Sequence, residues 1–160
     1  MILEYMKVPL HRYTFKPLKL RRWVETQASG KVLNLFAGET ILKCDEERND
    51  IRPEMPADFH MDALKCVETW PKDEYFNTIL LDPPYGYRKS MEMYDGAVSS
   101  PFNAIKNKLS RILTPHGRVI TFGYHSVSMG KSRGFEQERI LLMSHGGAIH
   151  DTIAVVEIKA

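Results

Sequence analysis

The sequence predicts an α/β fold with a mostly parallel sheet, and three observations predict it. Short apolar runs stop at glycine or proline, helix-spaced segments lie between them, and a tight glycine-containing link joins the last two runs. The first run, KVLNLFAG (31–38), reads as a buried strand ending at Gly38. NTILLDPP (77–84) is the second, halted by prolines that have no N–H to give to a ladder. GRVITFGY (117–124) is the third. RILLMSH (139–145) and DTIAVVEIK (151–159) follow, separated by GGAIH, whose Gly-Gly pair predicts a hairpin. Strands joined so closely must be antiparallel, because a parallel pair needs a crossover of about a dozen residues.

Three helices fit between the strands. LKLRRWVETQA (18–28) carries an apolar stripe through Leu20, Trp23 and Val24. MDALKCVETW (61–70) sets Leu64, Val67 and Trp70 at helical spacing before Pro71. PFNAIKNKLSRIL (101–113) spaces Phe102, Ile105, Leu109 and Ile112 along one face, with Pro101 suited to a first turn.

The length of 160 residues suits one domain. Residues 1–30 are expected to pack on it as a basic N-terminal segment. Residues 1–24 hold six Lys or Arg and one Glu, a balance of +5 that leaves −3 on the rest of a chain of net charge +2. Such a segment either touches phosphate or is a solvated arm. Two cysteines, Cys44 and Cys66, match free thiols in a reducing cytoplasm. No apolar run nears the ~18 residues of a membrane span, and no secretory leader is recognisable. His145, His150 and Asp151 fall short of a zinc set of four spaced ligands, so no metal is expected.

In a parallel sheet, ligands gather at the carboxyl ends of the strands. Both FAG (36–38) and DPPY (82–85) lie there. Two successive prolines fix the backbone, so Asp82 and the carbonyl of Pro83 become two convergent acceptors, held stiff by Pro84. That pair suits a primary aromatic amine, and Tyr85 offers a flat face for its ring.

These residues resemble the amino-directed, S-adenosylmethionine-dependent nucleic-acid methyltransferases, in which an (Asp/Asn/Ser)-Pro-Pro-(Tyr/Phe) motif ends the fourth strand and holds the exocyclic amine. The resemblance implies a Rossmann-like class I methyltransferase fold, S-adenosyl-L-methionine as cofactor and a DNA or RNA substrate. The Asp form is most similar to the N6-adenine group and also occurs in N2-guanine RNA enzymes. LNLFAGET (33–40) resembles the first cofactor motif, with Phe36, Ala37 and Gly38 matching, Asn34 in place of the usual acid, and Thr40 in place of a second glycine. RNDIRP (48–53) resembles the second motif, with Asp50 as the acid for the ribose hydroxyls and Asp45, Glu46 or Glu47 as alternatives. HMDAL (60–64) resembles the third, with Asp62 and Ala63 at the adenine ring. TFKP (14–17) resembles the segment that lines the cofactor's methionine end.

Gly38 and Asp50 are 12 residues apart, where helix plus strand needs about 18–20. The first crossover helix is therefore expected to be shortened or missing. Tyr87, Arg88, Lys89 and Tyr94 in YRKSMEMYDG (87–96) read as a substrate-covering segment, and Lys131 and Arg133 as phosphate contacts. No cysteine follows a proline, so the nucleophile of carbon-5 cytosine methylation is absent. No separate target-recognition domain fits into the 43 residues between Gly38 and Asp82, so the chain is expected to read RNA shape or a short single-stranded segment, or to rely on a homodimer or a partner subunit. Asn34, Thr40 and the short crossover equally suit a non-catalytic subunit that binds a partner.

Overall fold

Val32, Leu33, Ile79, Leu80, Val119 and Ile120 are fully buried, and they are the middle residues of three neighbouring strands. Successive side chains of a strand point to opposite faces, so runs apolar at every position need cover on both. The computed structural model, which describes residues 1–84, 102–147 and 150–160, supplies that cover. The elements are β1 (Ile2–Lys7), α1 (Leu18–Gln27), β2 (Lys31–Asn34), β3 (Asp45–Arg48), α2 (Ala63–Thr69), β4 (Phe76–Leu81), α3 (Phe102–Ile112), β5 (Leu113–Gly123), β6 (Phe135–Ser144) and β7 (Thr152–Lys159). One face of the sheet packs Leu33, Ile79, Leu81 and Val119 against residues of α2 and α3. The other packs Val32, Leu80 and Ile120 against Leu20, Trp23 and Val24 of α1.

The seven strands run in the order β1-β6-β7-β5-β4-β2-β3. Each pairing is parallel except those of β7, which is antiparallel to both β5 and β6. The expected hairpin is the β6–β7 pair. The N-terminal segment packs on the sheet rather than forming a solvated arm, because Ile2 to Lys7 form an edge strand registered on Arg139 to Ser144 of β6. Glu4 of β1 accepts from Arg139 at 2.5 Å, and His145 at the end of β6 lies 2.8 Å from the Val8 carbonyl. The β5–β6 connection is anchored by Glu157, a fully buried carboxylate of β7. It accepts the N–H groups of Met129 at 2.7 Å and Gly130 at 2.9 Å. Among the described residues no helix is long and apolar enough to cross a membrane.

β2 reaches β3 through residues 35–44 with no helix between them, as the short spacing predicts. A loop cannot satisfy its own carbonyls as a helix does, and buried ones need partners. Arg48, 6% exposed at the end of β3, supplies them. Its guanidinium donates to the carbonyls of Ala37 (3.3 Å), Gly38 (2.9 Å), Thr40 (2.8 Å) and Pro56 (2.8 Å), and pairs with Glu46. A planar fork of five N–H groups suits this task and an ammonium does not. Arg48→Met should therefore leave Glu46 buried without its partner and cost about 3–5 kcal/mol in urea unfolding. Arg48→Lys should recover less than half of the loss. Near-wild-type stability in either variant would show that the loop closes without the fork.

Candidate functional site

Three chain segments meet at the carboxyl ends of β2, β4 and β5. From β2 the chain passes Asn34, Leu35, Phe36 and Ala37 to Gly38, whose φ of 63° lies in the left-handed region that favours glycine. β3 closes on that turn. The Gly38 N–H donates to Asp50 at 2.9 Å while its carbonyl accepts from Arg48 at 2.9 Å, so one peptide is gripped by both charges. Next to them Asn49, 1% exposed, donates to the carbonyls of Leu35 and Met61 and accepts from the Met61 N–H. Asn49 thereby draws the segment before α2 against the end of β2. Asp62 caps α2, accepting from Leu64 N–H at 3.0 Å and Lys65 N–H at 3.4 Å, and Ala63 is buried behind it.

Asn34 and Asp82 are brought onto one face. Asn34 pairs with Leu80 in the β2–β4 register, and Asp82 follows Leu80 by two positions, the repeat of a strand face. Asn34 is 0% exposed, and neither its Nδ2 nor its Oδ1 has a hydrogen-bond partner. A buried amide left unpaired costs about 1–3 kcal/mol. Asp82 is half-buried as a residue. Its carboxyl is enclosed by protein, and that desolvation pushes it up to about 7, with a hydrogen bond from Thr14 working the other way. The third segment is the turn from Tyr13 to Lys16, which reaches Gly38 and β5. A Cβ on Gly38 would stand 3.5 Å from Tyr13 Cδ1, and Phe15 meets Phe122 of β5 edge-on at 5.1 Å.

Asp50 sits beside Gly38 but is already engaged. Its Oδ1 accepts from the Arg52 backbone and Nε, both at 3.0 Å, and its Oδ2 from Arg52 Nη2 at 3.0 Å and Gly38 N–H at 2.9 Å. A carboxylate has about four acceptor positions, and all are filled. Burial works to raise this carboxyl, yet the Arg52 and Gly38 bonds outweigh it and hold it below its ordinary value. Of the alternative acids, Glu46 is paired to Arg48, while Asp45 and Glu47 lie within the edge strand β3. Phe36 is half-buried against the α2–α3 core, and Ala37 and Thr40 are buried.

Pro83 and Pro84 follow Asp82 out of the sheet, and Pro84 is exposed. Tyr85, Tyr87, Arg88, Lys89 and Tyr94 lie outside the described residues. Lys131 and Arg133 are not at this end. They form a 3-10 turn leading into the start of β6, beside the last residue of the chain, and Arg133 is tied to Asn107 of α3 at 2.7 Å. The reading of these two as phosphate contacts is corrected by the crossover, which carries the chain from the carboxyl end of β5 to the opposite end of the sheet. Sequence reading also passed over Arg48, Asn49 and Thr14. Thr14 lies in TFKP, whose Lys16 is exposed.

Solved structures share this architecture. The chain superimposes on TrmN from Thermus thermophilus with a TM-score of 0.61 at 16% identity, over 91% of this chain and 50% of that one. It superimposes on the 1,6-didemethyltoxoflavin-N1-methyltransferase of Burkholderia thailandensis, solved with 1,6-didemethyltoxoflavin and S-adenosylhomocysteine bound, with a TM-score of 0.59 at 12% identity. That match covers 93% of this chain and 79% of the other. The N-methyltransferase NodS from Bradyrhizobium japonicum gives a TM-score of 0.54 at 11% identity, over 89% of this chain and 97% of that one. The chain has the class I S-adenosylmethionine-dependent methyltransferase fold. It spans half the length of the Thermus protein. No family model and no curated protein matches it.

The raised Asp82 carboxyl has a signature in stability. The group releases its proton near 3.8 when unfolded and near about 7 when folded. Between those values the folded state binds the extra proton, so stability falls as pH rises through that window and stays reduced above it. Asp82→Asn removes the ionisable group. Its melting temperature should exceed the wild type's most above pH 7, and the difference should close near pH 4. Equal differences at both ends of a melting series would contradict the burial of this carboxyl.

Proposed function

We propose that the protein transfers a methyl group from S-adenosyl-L-methionine to the exocyclic amino group of a nucleobase in DNA or RNA, with N6 of adenine as the target. The observation that carries this reading is the pairing of the unpartnered, fully buried Asn34 with Asp82 on one face of the sheet. The Asp form of the Asp-Pro-Pro motif, most similar to the N6-adenine group, supports adenine over guanine.

The residues fit the cofactor. Asn34 offers an amide donor and an acceptor with no partner of their own, suited to an amino-acid end bearing both ammonium and carboxylate. Gly38 has no Cβ, so backbone and ligand can approach closely. Asp62 and Ala63 would flank the adenine, an acid beside a small residue. Asp50 serves by holding Gly38 in place, and it takes ribose hydroxyls only when Arg52 releases it. When bound, the cofactor supplies an electrophilic methyl carbon on a sulfonium.

The chain's own residues do the rest. A base must leave its stack to reach a pocket at the strand ends. Asp82 and the Pro83 carbonyl accept the two amino protons, which draws the nitrogen toward a pyramidal form with a freer lone pair. Positive charge grows on that nitrogen during transfer, and a carboxylate already aimed at it stabilises the charge without rearranging. Holding nitrogen and carbon at about 3–3.5 Å supplies much of the remaining acceleration. Only the ionised carboxylate carries the negative charge that offsets this growing positive one, so kcat/KM should climb as pH rises through about 7, where the Asp82 proton leaves.

The test is transfer of tritiated methyl from S-adenosylmethionine to separate DNA and RNA pools, followed by nucleoside analysis. Label is expected in N6-methyladenine. Asp82→Ala should abolish transfer while the cofactor still binds by calorimetry. Asn34→Leu should weaken cofactor binding by about tenfold or more, the equivalent of one lost hydrogen-bonding group. Absence of label in both pools, with no heat on mixing with cofactor, would reject the proposal.

A further inference from the structure

We infer that Arg52 sets the affinity of this site for its nucleoside ligand, because its guanidinium occupies the carboxylate positions that the ligand's vicinal diol needs. The inference rests on the reading of Asp50 as the acid for the ribose hydroxyls, and it adds that Arg52 competes with them.

Asp50 follows the end of β3 and stands against the Gly38 turn that leaves β2. The acceptor positions of its carboxylate divide into two kinds. Backbone takes one on each oxygen, the Arg52 N–H at 3.0 Å on Oδ1 and the Gly38 N–H at 2.9 Å on Oδ2. The guanidinium takes the other on each oxygen, Nε at 3.0 Å on Oδ1 and Nη2 at 3.0 Å on Oδ2. Two neighbouring sugar hydroxyls present the same pattern as this fork, one donor for each oxygen. Diol and guanidinium cannot both be accommodated.

The partners differ in how firmly they are held. The Asp50 side chain is 6% exposed and the Arg52 side chain 31%, so the fork covers the carboxylate from the solvent side. The backbone of both residues is pinned. The Asp50 N–H donates to the Phe59 carbonyl at 3.1 Å, and the Arg52 carbonyl accepts from the Met55 N–H at 3.2 Å. His60 Nδ1 lies 3.1 Å from the Asp50 carbonyl oxygen and 3.0 Å from that of Arg52. Carbonyls only accept, so this nitrogen carries the proton and ties the two peptides together. The group able to leave is therefore the Arg52 side chain. Its departure strands no charge, because Asp50 keeps both backbone donors and Gly38 keeps its hold. A charge-assisted fork is stronger than the neutral hydroxyl bonds that replace it. A ligand that needs the open form has its affinity reduced by the open fraction. Arg52 thus acts as a latch that weakens binding without deforming the pocket.

The experiment is calorimetry on the full chain with S-adenosylhomocysteine and with its analogue lacking both ribose hydroxyls, in wild type, Arg52→Met and Arg52→Lys. Methionine keeps an apolar stem and deletes the donors, and an ammonium cannot fill both oxygens as a fork. Arg52→Met should bind S-adenosylhomocysteine about tenfold more tightly and the analogue no better than wild type does. Arg52→Lys should fall between. Unchanged or weaker binding of S-adenosylhomocysteine by Arg52→Met overturns the inference, because Arg52 then only braces Asp50. Equal tightening of the analogue overturns it too, because the gain does not come from the diol. If melting shows Arg52→Met to be unfolded, Arg52→Lys decides by the same two criteria. No heat with either ligand in wild type and variants rejects the cofactor reading and the inference with it. Binding by wild type with no gain in either variant rejects the inference alone.

Discussion

The site depends on a parallel connection made without a helix. Residues 35–44 must carry the chain from the carboxyl end of β2 back to the start of β3, and they bring no internal ladder to satisfy their carbonyls. Arg48 does this from the far side of the connection, gathering three loop carbonyls on one planar group. Asp50, two residues on, takes the N–H of the same Gly38 whose carbonyl Arg48 holds. The backbone at Gly38 is thus fixed by its own neighbours before any ligand arrives. A helix in this place would set its first N–H groups free for a ligand. Here a side chain occupies one of them, while the amide of Asn34 at the strand end keeps both polar atoms unpaired.

The same economy explains β3. Its sequence, Asp45-Glu46-Glu47-Arg48, has no apolar alternation and little strand propensity. It lies at the sheet edge, where charged side chains discourage a further strand from pairing. Its inward residue is the arginine rather than a hydrophobe, because what it must cover is backbone carbonyl.

Much of the fold was legible because its core strands are apolar at every position and end at glycine or proline. The three helices follow from spacing, and their ends fall within two residues of the expected ones. β1 was not legible. Leu3 and Tyr5 are exposed while Met6 is buried, and the strand exists through its pairing with β6, some 135 residues away, which no local pattern records. β3 was hidden by its charge. Asn34, Gly38, Asp62 and Asp82 were legible as positions because they end or follow a strand or cap a helix, where motif and local geometry coincide. Lys131 and Arg133 were misplaced because a loop that leaves the correct end of β5 finishes at the other end of the sheet.

Asn34 and Asp82 are best understood together. They lie on one face of adjacent strands, and Asp82 already carries the desolvation of its own carboxylate with a single hydroxyl donor to offset it. An acid at position 34 would place a second carboxylate against the first in a region where the described residues supply no cation. Like charges sharing a site drive one of the pair to hold its proton, and a protonated Asp82 carries no negative charge to set against a positive charge growing on a bound amine. An amide at 34 keeps a donor and an acceptor for a ligand and leaves the ionisation of Asp82 unburdened. The departure of this chain from the acid usual at that position is therefore coupled to the enclosure of Asp82. In this sheet the amide of Asn34 and the carboxyl of Asp82 lie on one face, and the neutrality of the first adds no charge to the surroundings of the second.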